Sequence, residues 1–252
     1  MRKMTALIMA VLLAVIPVLC APAESISLTG TWKVKISGLD CYISLQENGK
    51  CFLSCSGGFF YPNEGTYAVS GSLVTIRTEE INLLAGNWIL SGDKLENSVM
   101  GYSGEKISEA VRFSLQMDGN SMEDTLQNGD ALTVEACEEA ELKRFDIAAV
   151  HYDGRGNTVF IKRIVGLPGD TVELKDGYLY VNGTRYDEPC INDEYRAGRM
   201  NTFGPCVLED HMFFVLGDHR DKSNDSRSTG PVTAEMMLGK VIEVNGQPYG
   251  ME

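Results

Sequence analysis

Short runs of alternating apolar and polar residues fill the chain after residue 24. Trp32, Val34 and Ile36 alternate with Lys33 and Lys35, the period of a strand with one buried and one wet face. Further strands are predicted at 42–46, 51–54, 65–69, 72–77, 87–91 and 110–115. Turn signals separate them at Asn48-Gly49, Gly57-Gly58, Ser70-Gly71-Ser72 and Ser91-Gly92-Asp93. Regular short strands with tight turns predict an antiparallel meander that closes as a small barrel or sandwich. Beyond about residue 110, runs rich in Val, Ile and Phe predict strands at 131–135, 146–151, 157–165, 178–181 and 211–216. Only 138–144 reads as helical.

The first residues break this pattern. Arg2 and Lys3 precede an uncharged apolar run from Met4 to Leu19, and Ala21-Pro22-Ala23 follows. This is the layout of a targeting segment with an Ala-X-Ala cleavage site. The run of 16 residues is short of the ~20 that cross a bilayer, and counting through Ala23 makes a span feasible. A removed signal peptide and a retained anchor both stay open. A lipid on Cys20 ranks third, because Leu19 is not the small residue expected before it. Each reading places residues 24–252 outside the cytoplasm. The organisation expected is a signal peptide or anchor over 1–23, a small all-β domain over 24–110 and a second, mostly β domain over 111–252. Gly30-Thr31-Trp32 resembles the opening of lipocalin-like modules, over three residues only.

Composition narrows the classes. With 44% hydrophobic and 23% charged residues the chain is an ordinary globular protein, not a disordered chain, a coiled coil or a multi-span membrane protein. A net charge of −13 argues against a nucleic-acid partner, which needs clustered Lys and Arg to neutralise phosphates. Six cysteines follow the targeting segment, at 41, 51, 55, 137, 190 and 206, and an exported chain permits disulfides. Cys190 and Cys206 bracket one loop-rich stretch and are the favoured pair. Cys41 and Cys55 flank a hairpin around Asn48-Gly49. A two-residue turn there sends them to opposite faces and a bulged turn brings them together.

Three segments carry candidate chemistry. In Gly119-Asn120-Ser121-Met122-Glu123-Asp124-Thr125-Leu126, a Ser after Gly-Asn presents a hydroxyl beside free backbone N–H groups. That suits a nucleophile with its own oxyanion donor, and it equally suits a simple turn. In Val159-Phe160-Ile161-Lys162-Arg163-Ile164-Val165-Gly166-Leu167-Pro168-Gly169-Asp170, Lys162 interrupts an apolar strand. Alternation puts it on the face of Phe160 and Ile164, with Arg163 pointing the other way. Such a Lys is costly to keep charged, unless it is an edge residue whose head reaches water. The third segment, Gly217-Asp218-His219-Arg220-Asp221-Lys222-Ser223-Asn224-Asp225-Ser226-Arg227, crowds acids, bases and hydroxyls after an apolar run. A calcium loop does not fit, because Ser226 and Val232 stand where Gly and Glu are needed.

Joined in this order, the three segments resemble type I signal peptidases. The family patterns are Ser-Met-X-Pro-Thr, then Lys-Arg with two apolar residues and Gly-Leu-Pro-Gly-Asp, then Gly-Asp-Asn-Arg-Asp-X-Ser-X-Asp-Ser-Arg. The resemblance spans about 113–252 and implies a signal-peptidase-like β fold, of the compact type, because only Thr171 to Leu216 lie between the second and third motifs. Residues 24–110 have no counterpart in that pattern. The resemblance implies a Ser–Lys dyad, with Ser121 the nucleophile and Lys162 the general base. Ser223 would orient the Lys, and Asp225 and Arg227 would hold the site's architecture. Met117, Met122, Leu126, Phe160 and Ile161 match positions lining shallow pockets for small side chains. Gly119 stands where some members carry a helper hydroxyl. The substrate implied is the signal peptide of an exported preprotein, cut after Ala-X-Ala at the membrane surface, with no metal or cofactor. Residues 21–23 are themselves such a site, so self-processing is a further expectation.

Two residues depart from the pattern. Asp124 stands for the Pro of the first motif and His219 for the Asn of the third. Asp124 holds the backbone less firmly than Pro and is expected to add a negative charge near Lys162, which would favour the ammonium form. Two other readings compete: a self-cleaving repressor-type Ser–Lys peptidase, which lacks the third motif, and an exported binding module on an inactive peptidase scaffold.

Overall fold

The computed structural model describes residues 27–55, 63–79, 82–152, 158–196 and 200–250. The expected targeting segment, with the Gly57-Gly58 turn, lies outside the described residues. Strands β1 (Gly30–Ile36), β2 (Leu39–Leu45), β3 (Lys50–Cys55), β4 (Asn63–Ser70), β5 (Leu73–Thr78), β6 (Gly86–Ser91), β7 (Lys94–Asn97) and β8 (Tyr102–Ser108) form a closed antiparallel barrel, in which β8 returns to pair with β1. The alternation in β1 sends Trp32, Val34 and Ile36 inward. They pack with Ile43, Leu45, Leu53, Val74, Ile76, Trp88 and Leu95, so the interior is a packed core.

Two barrel strands escaped the sequence pattern. β7 is only four residues long, and the half-buried side of β8 is Tyr102, Gly104 and Lys106 rather than an apolar series. Gly104 belongs there because a Cβ would meet Val34 Cγ2 at 3.0 Å across the closing seam. The β2–β3 hairpin turns through Gln46–Lys50, with Gly49 at φ +81, and takes the bulged alternative. Cys41 and Cys55 become direct cross-strand partners and form a disulfide. The favoured Cys190–Cys206 pair is not made and both remain thiols. Cys206 is held in a strand opposite Val172, whereas Cys190 sits in the loop near Arg163 and Asp218.

The rest of the described chain holds β9 (Arg112–Gln116), β10 (Ala131–Glu135), β11 (Ile147–His151), β12 (Val159–Gly166), β13 (Thr171–Lys175), β14 (Tyr178–Val181), β15 (Thr184–Arg185), β16 (Phe203–Val207), β17 (Met212–Leu216), β18 (Val232–Thr233), β19 (Met237–Val244) and β20 (Gln247–Pro248). One sheet runs β18-β17-β12-β11-β19-β10-β9, with β20 on β19, and a smaller one runs β15-β14-β13-β16. The helix expected at 138–144 shrinks to a 3-10 turn at Glu139–Glu141. Single helical turns form instead at α1 (Asp193–Arg196) and α2 (Ser226–Thr229). Among the described residues no helix is long and apolar enough to cross a membrane.

The barrel meets the sheet along the outer edge of β9. That edge offers unpaired backbone groups, and hydroxyls from β1, β2 and β3 satisfy them. Arg112 N donates to Thr31 Oγ1 at 2.8 Å, Ser44 Oγ donates to Arg112 O, and Ser114 N donates to Ser54 Oγ at 3.3 Å. Phe52 stacks on Phe113 beside them, ring centroids 4.4 Å apart. Alternation along β9 leaves the backbone of Gln116 facing the same edge beyond the barrel's reach.

Candidate active site

Ser121 lies in the turn that leaves β9. Met117 and Gly129 close the base of that turn through bonds between Met117 N and Asp130 O and between Gly129 N and Met117 O, both 2.8 Å. Met122 and Leu126 point into the core, where both are fully buried, and Leu126 N donates to Met122 O. These two anchors leave Ser121 half-exposed on the opposite side of the turn.

Lys162 approaches from the middle of the sheet. β12 is flanked by β11 and β17, and Lys162 is opposite Ala148. Its side chain is 2% exposed. Nζ lies 2.8 Å from Ser121 Oγ and donates to Ile161 O at 2.8 Å, with the Phe160 ring 5.8 Å away. Burial pulls the amine from the usual 10.5 down to about 8, against the opposing pull of Asp225 and then Asp218. A neutral amine fits this geometry: one N–H goes to Ile161 and the lone pair to the Ser121 hydroxyl.

Arg163 points the opposite way, as alternation requires. It is fully buried and forks onto Asp218, with Nε–Oδ1 at 2.8 Å and Nη2–Oδ2 at 2.6 Å. Thr125 Oγ1 donates to Asp218 Oδ2 at 2.5 Å. This buried pair joins all three motif segments, and it is absent from the residues singled out by sequence. Its signal was present in the Lys-Arg step and the Gly217-Asp218 pair, but a charge pair shows its worth only once both partners are seen to be buried.

The third segment folds around Asp225, which accepts from Gly217 N at 3.0 Å and from Arg227 Nε and Nη2 at 2.8 Å. Asp225 and Arg227 are both buried, and Arg227 also donates to Arg220 O at 2.5 Å. Ser223 reaches the site but does not bond Lys162, contrary to expectation. Nζ takes Ile161 O instead, and the buried Ser223 Oγ has no hydrogen-bond partner among the described residues. Gly217 permits this packing, since a Cβ there would meet Ser223 Oγ at 2.2 Å and Ser121 O at 2.5 Å.

A cleft of about 530 Å³ opens beside the Ser121–Lys162 pair. Met117, Phe160 and Ile161 line it, as expected, joined by Leu115, Gln116 and Val159, which sequence reasoning missed. Met122 and Leu126 do not line it. The turn aims both into the core, so they support the site from beneath. Gly119, at φ +85, lies outside the lining and donates its N–H to Asn128 Oδ1 at 2.9 Å. Asp124 is also not where it was expected. Its carboxylate accepts from Asn192 Nδ2 at 3.3 Å and Tyr195 OH at 3.4 Å, and it is not among the charges acting on Lys162.

The family model described as "Signal peptidase, peptidase S26" matches residues 105–245, more than half of the chain. A signal peptidase I of Bacillus licheniformis is 37% identical over 120 residues, which are 44% of this chain and 64% of the relative. Signal peptidase I V of Bacillus subtilis (strain 168) is 35% identical over 151 residues, 55% of this chain and 88% of the relative. A crystal structure of a signal peptidase I from Enterococcus faecalis V583 is 33% identical, covering 40% of this chain and 96% of its own, with a TM-score of 0.35.

Proposed function

The chain belongs to the signal peptidase family, peptidase S26, and from that premise we propose a serine endopeptidase that removes signal peptides from exported preproteins after Ala-X-Ala. The observation that carries the proposal is the buried amine of Lys162, 2.8 Å from Ser121 Oγ and drawn down to about 8. At pH 8 about half of such an amine is neutral, whereas an unperturbed Lys would be neutral less than ~1% of the time.

The reaction then needs only this pair. Ser121 Oγ attacks the scissile carbonyl while its proton passes to Lys162 Nζ. The tetrahedral oxyanion is met by the backbone N–H of Ser121. As the C–N bond breaks, the Lys162 ammonium returns the proton to the leaving amine, and an ester to Ser121 remains. A water then gives its proton to Lys162, attacks the ester and releases the new carboxylate, restoring the Ser121 hydroxyl. Asp225 and Arg227 hold the loop that packs against Ser121.

The substrate strand lies in the cleft beside Gln116, whose backbone supplies the open sheet edge. Met117, Phe160 and Ile161 shape the shallow pockets that accept Ala. Work at the outer membrane surface follows from the family reading, with residues 1–23 as an anchor or a removed leader.

The test is cleavage of a preprotein carrying an Ala-X-Ala site by the full chain in detergent, with product masses read by mass spectrometry. The expected product begins directly after the second Ala, and Ser121→Ala yields none. Equal cleavage by Ser121→Ala, or cuts after bulky residues, would overturn the proposal.

A further inference from the structure

Taking Ser121 as the nucleophile, as proposed above, we infer that Tyr195 is a positioning residue for it, acting through Asp124 and His219. Those two are the residues by which the chain departs from its family's motifs, and the fold brings both to one tyrosine. The ring of Tyr195 stacks on the imidazole of His219, centroids 3.6 Å apart and planes 21° from parallel. Its hydroxyl donates to Asp124 Oδ1 at 3.4 Å, and Asn192 Nδ2 supports the other carboxylate oxygen at 3.3 Å.

His219 reaches the nucleophile directly. Its backbone N–H donates to Ser121 O at 3.1 Å. Its ring is 3% exposed and held at both nitrogens, with Nδ1 at 3.0 Å from Glu123 Oε2 and Nε2 at 2.9 Å from Asp221 Oδ1. A closed circuit results. It runs from the Ser121 carbonyl to His219, across the stack to Tyr195, through the hydroxyl to Asp124, and back along three residues of chain to Ser121. A proline at 124 would fix φ of that turn covalently. Asp124 fixes nothing by itself, and its two contacts are long. The circuit restrains the turn in its place.

Tyr195 is itself well anchored. It sits in α1, whose last residue, Arg196, is buried and donates Nη1 to Glu188 Oε2 at 3.2 Å. The other oxygen of Glu188, Oε1, is paired with Arg220, the neighbour of His219. Glu188 thus ties the segment bearing Tyr195 to the segment bearing His219, and is 1% exposed. Gly177 makes room for this, because a Cβ there would meet Arg196 O at 2.4 Å.

The test is a double-mutant cycle on the full chain, with kcat and KM measured separately on a preprotein substrate. Tyr195→Ala should lower kcat by roughly ten- to a hundredfold, the cost of a slightly misplaced nucleophile, and leave KM within about twofold. In an Asp124→Pro background, where the turn is fixed covalently, the same substitution should cost less than about threefold. Tyr195→Phe, which keeps the stack and loses the hydroxyl, should fall between. If Asp124→Pro does not fold, Asp124→Ala replaces it, and the combined loss with Tyr195→Ala should then be clearly less than the product of the two single losses. An unchanged kcat in Tyr195→Ala, or the same fold-loss in every background, would overturn the inference. Full activity in Ser121→Ala would instead defeat the reading of the nucleophile, so the two failures are distinguishable.

Discussion

Lys162 is held where an ammonium ion is poorly solvated, and this has a consequence for stability as well as for rate. Its amine is lowered from 10.5 to about 8 by burial in the folded protein. The unfolded chain therefore binds more protons between about pH 8 and 10.5, and stability should rise with pH through that window. Below pH 8 the penalty is fully present and amounts to about 3 kcal/mol. Lys162→Met should accordingly be inactive yet more stable than the parent at pH 7 in urea unfolding, with the gap narrowing towards pH 10. Replacing Asp218 should change stability in the other direction. Asp218→Ala leaves the buried Arg163 guanidinium unpaired and should cost ~3–5 kcal/mol in the same measurement. At this scale the motifs carrying the family resemblance named residues that the fold does bring together, Ser121 with Lys162 and Asp225 with Arg227. They misled where a side chain's direction depends on a turn. Met122 and Leu126 look like pocket residues and are core, Ser223 does not bond Lys162, and the Asp124 charge turns towards Tyr195.

Strands whose two faces differ were legible, because period-two alternation is a direct consequence of burial on one side. The series Trp32, Val34 and Ile36 placed β1, and the apolar flank of Lys162 placed β12. β8 was not legible, since Gly104 and Lys106 take inward positions that pattern reading reserves for apolar residues. The choice between the two hairpin geometries at Asn48-Gly49 was not legible either, because both place Gly in the turn. Only the register that pairs Cys41 with Cys55 distinguishes them. The edge of β9 carries its own prediction. Thr31 Oγ1 accepts from Arg112 N and donates to Ala110 O, both at 2.8 Å, so Thr31→Val strands two polar groups at once. The loss should be ~1–3 kcal/mol. Hydrogen exchange should show the Arg112 amide protected in the parent and exchanging fast in the variant. Protection that survives the substitution would mean that another group caps this edge.

Across the whole molecule, a packed barrel is riveted by hydroxyls to the edge strand that continues towards the cleft. The barrel covers the backbone of Arg112 and Ser114, and the chain beyond, from the end of β9 at Gln116 to Asp118, lines the cleft beside Ser121. The barrel is thus bonded to the strand on which the substrate is proposed to pair, a junction that sequence could not reveal because nothing around Thr31, Ser44 and Ser54 marks what their hydroxyls would face. The proposed mechanism turns on the chemistry of the buried Lys162 amine. The most direct measurement is the pH dependence of kcat/KM for preprotein cleavage from pH 5 to 10, run beside Lys162→Met. The rate should rise through an apparent pKa near 8 and level off above it, because only the neutral amine accepts the Ser121 proton, and Lys162→Met should show no cleavage at any pH. A profile that rises through a value near 6 and survives in Lys162→Met would contradict the Ser121–Lys162 mechanism.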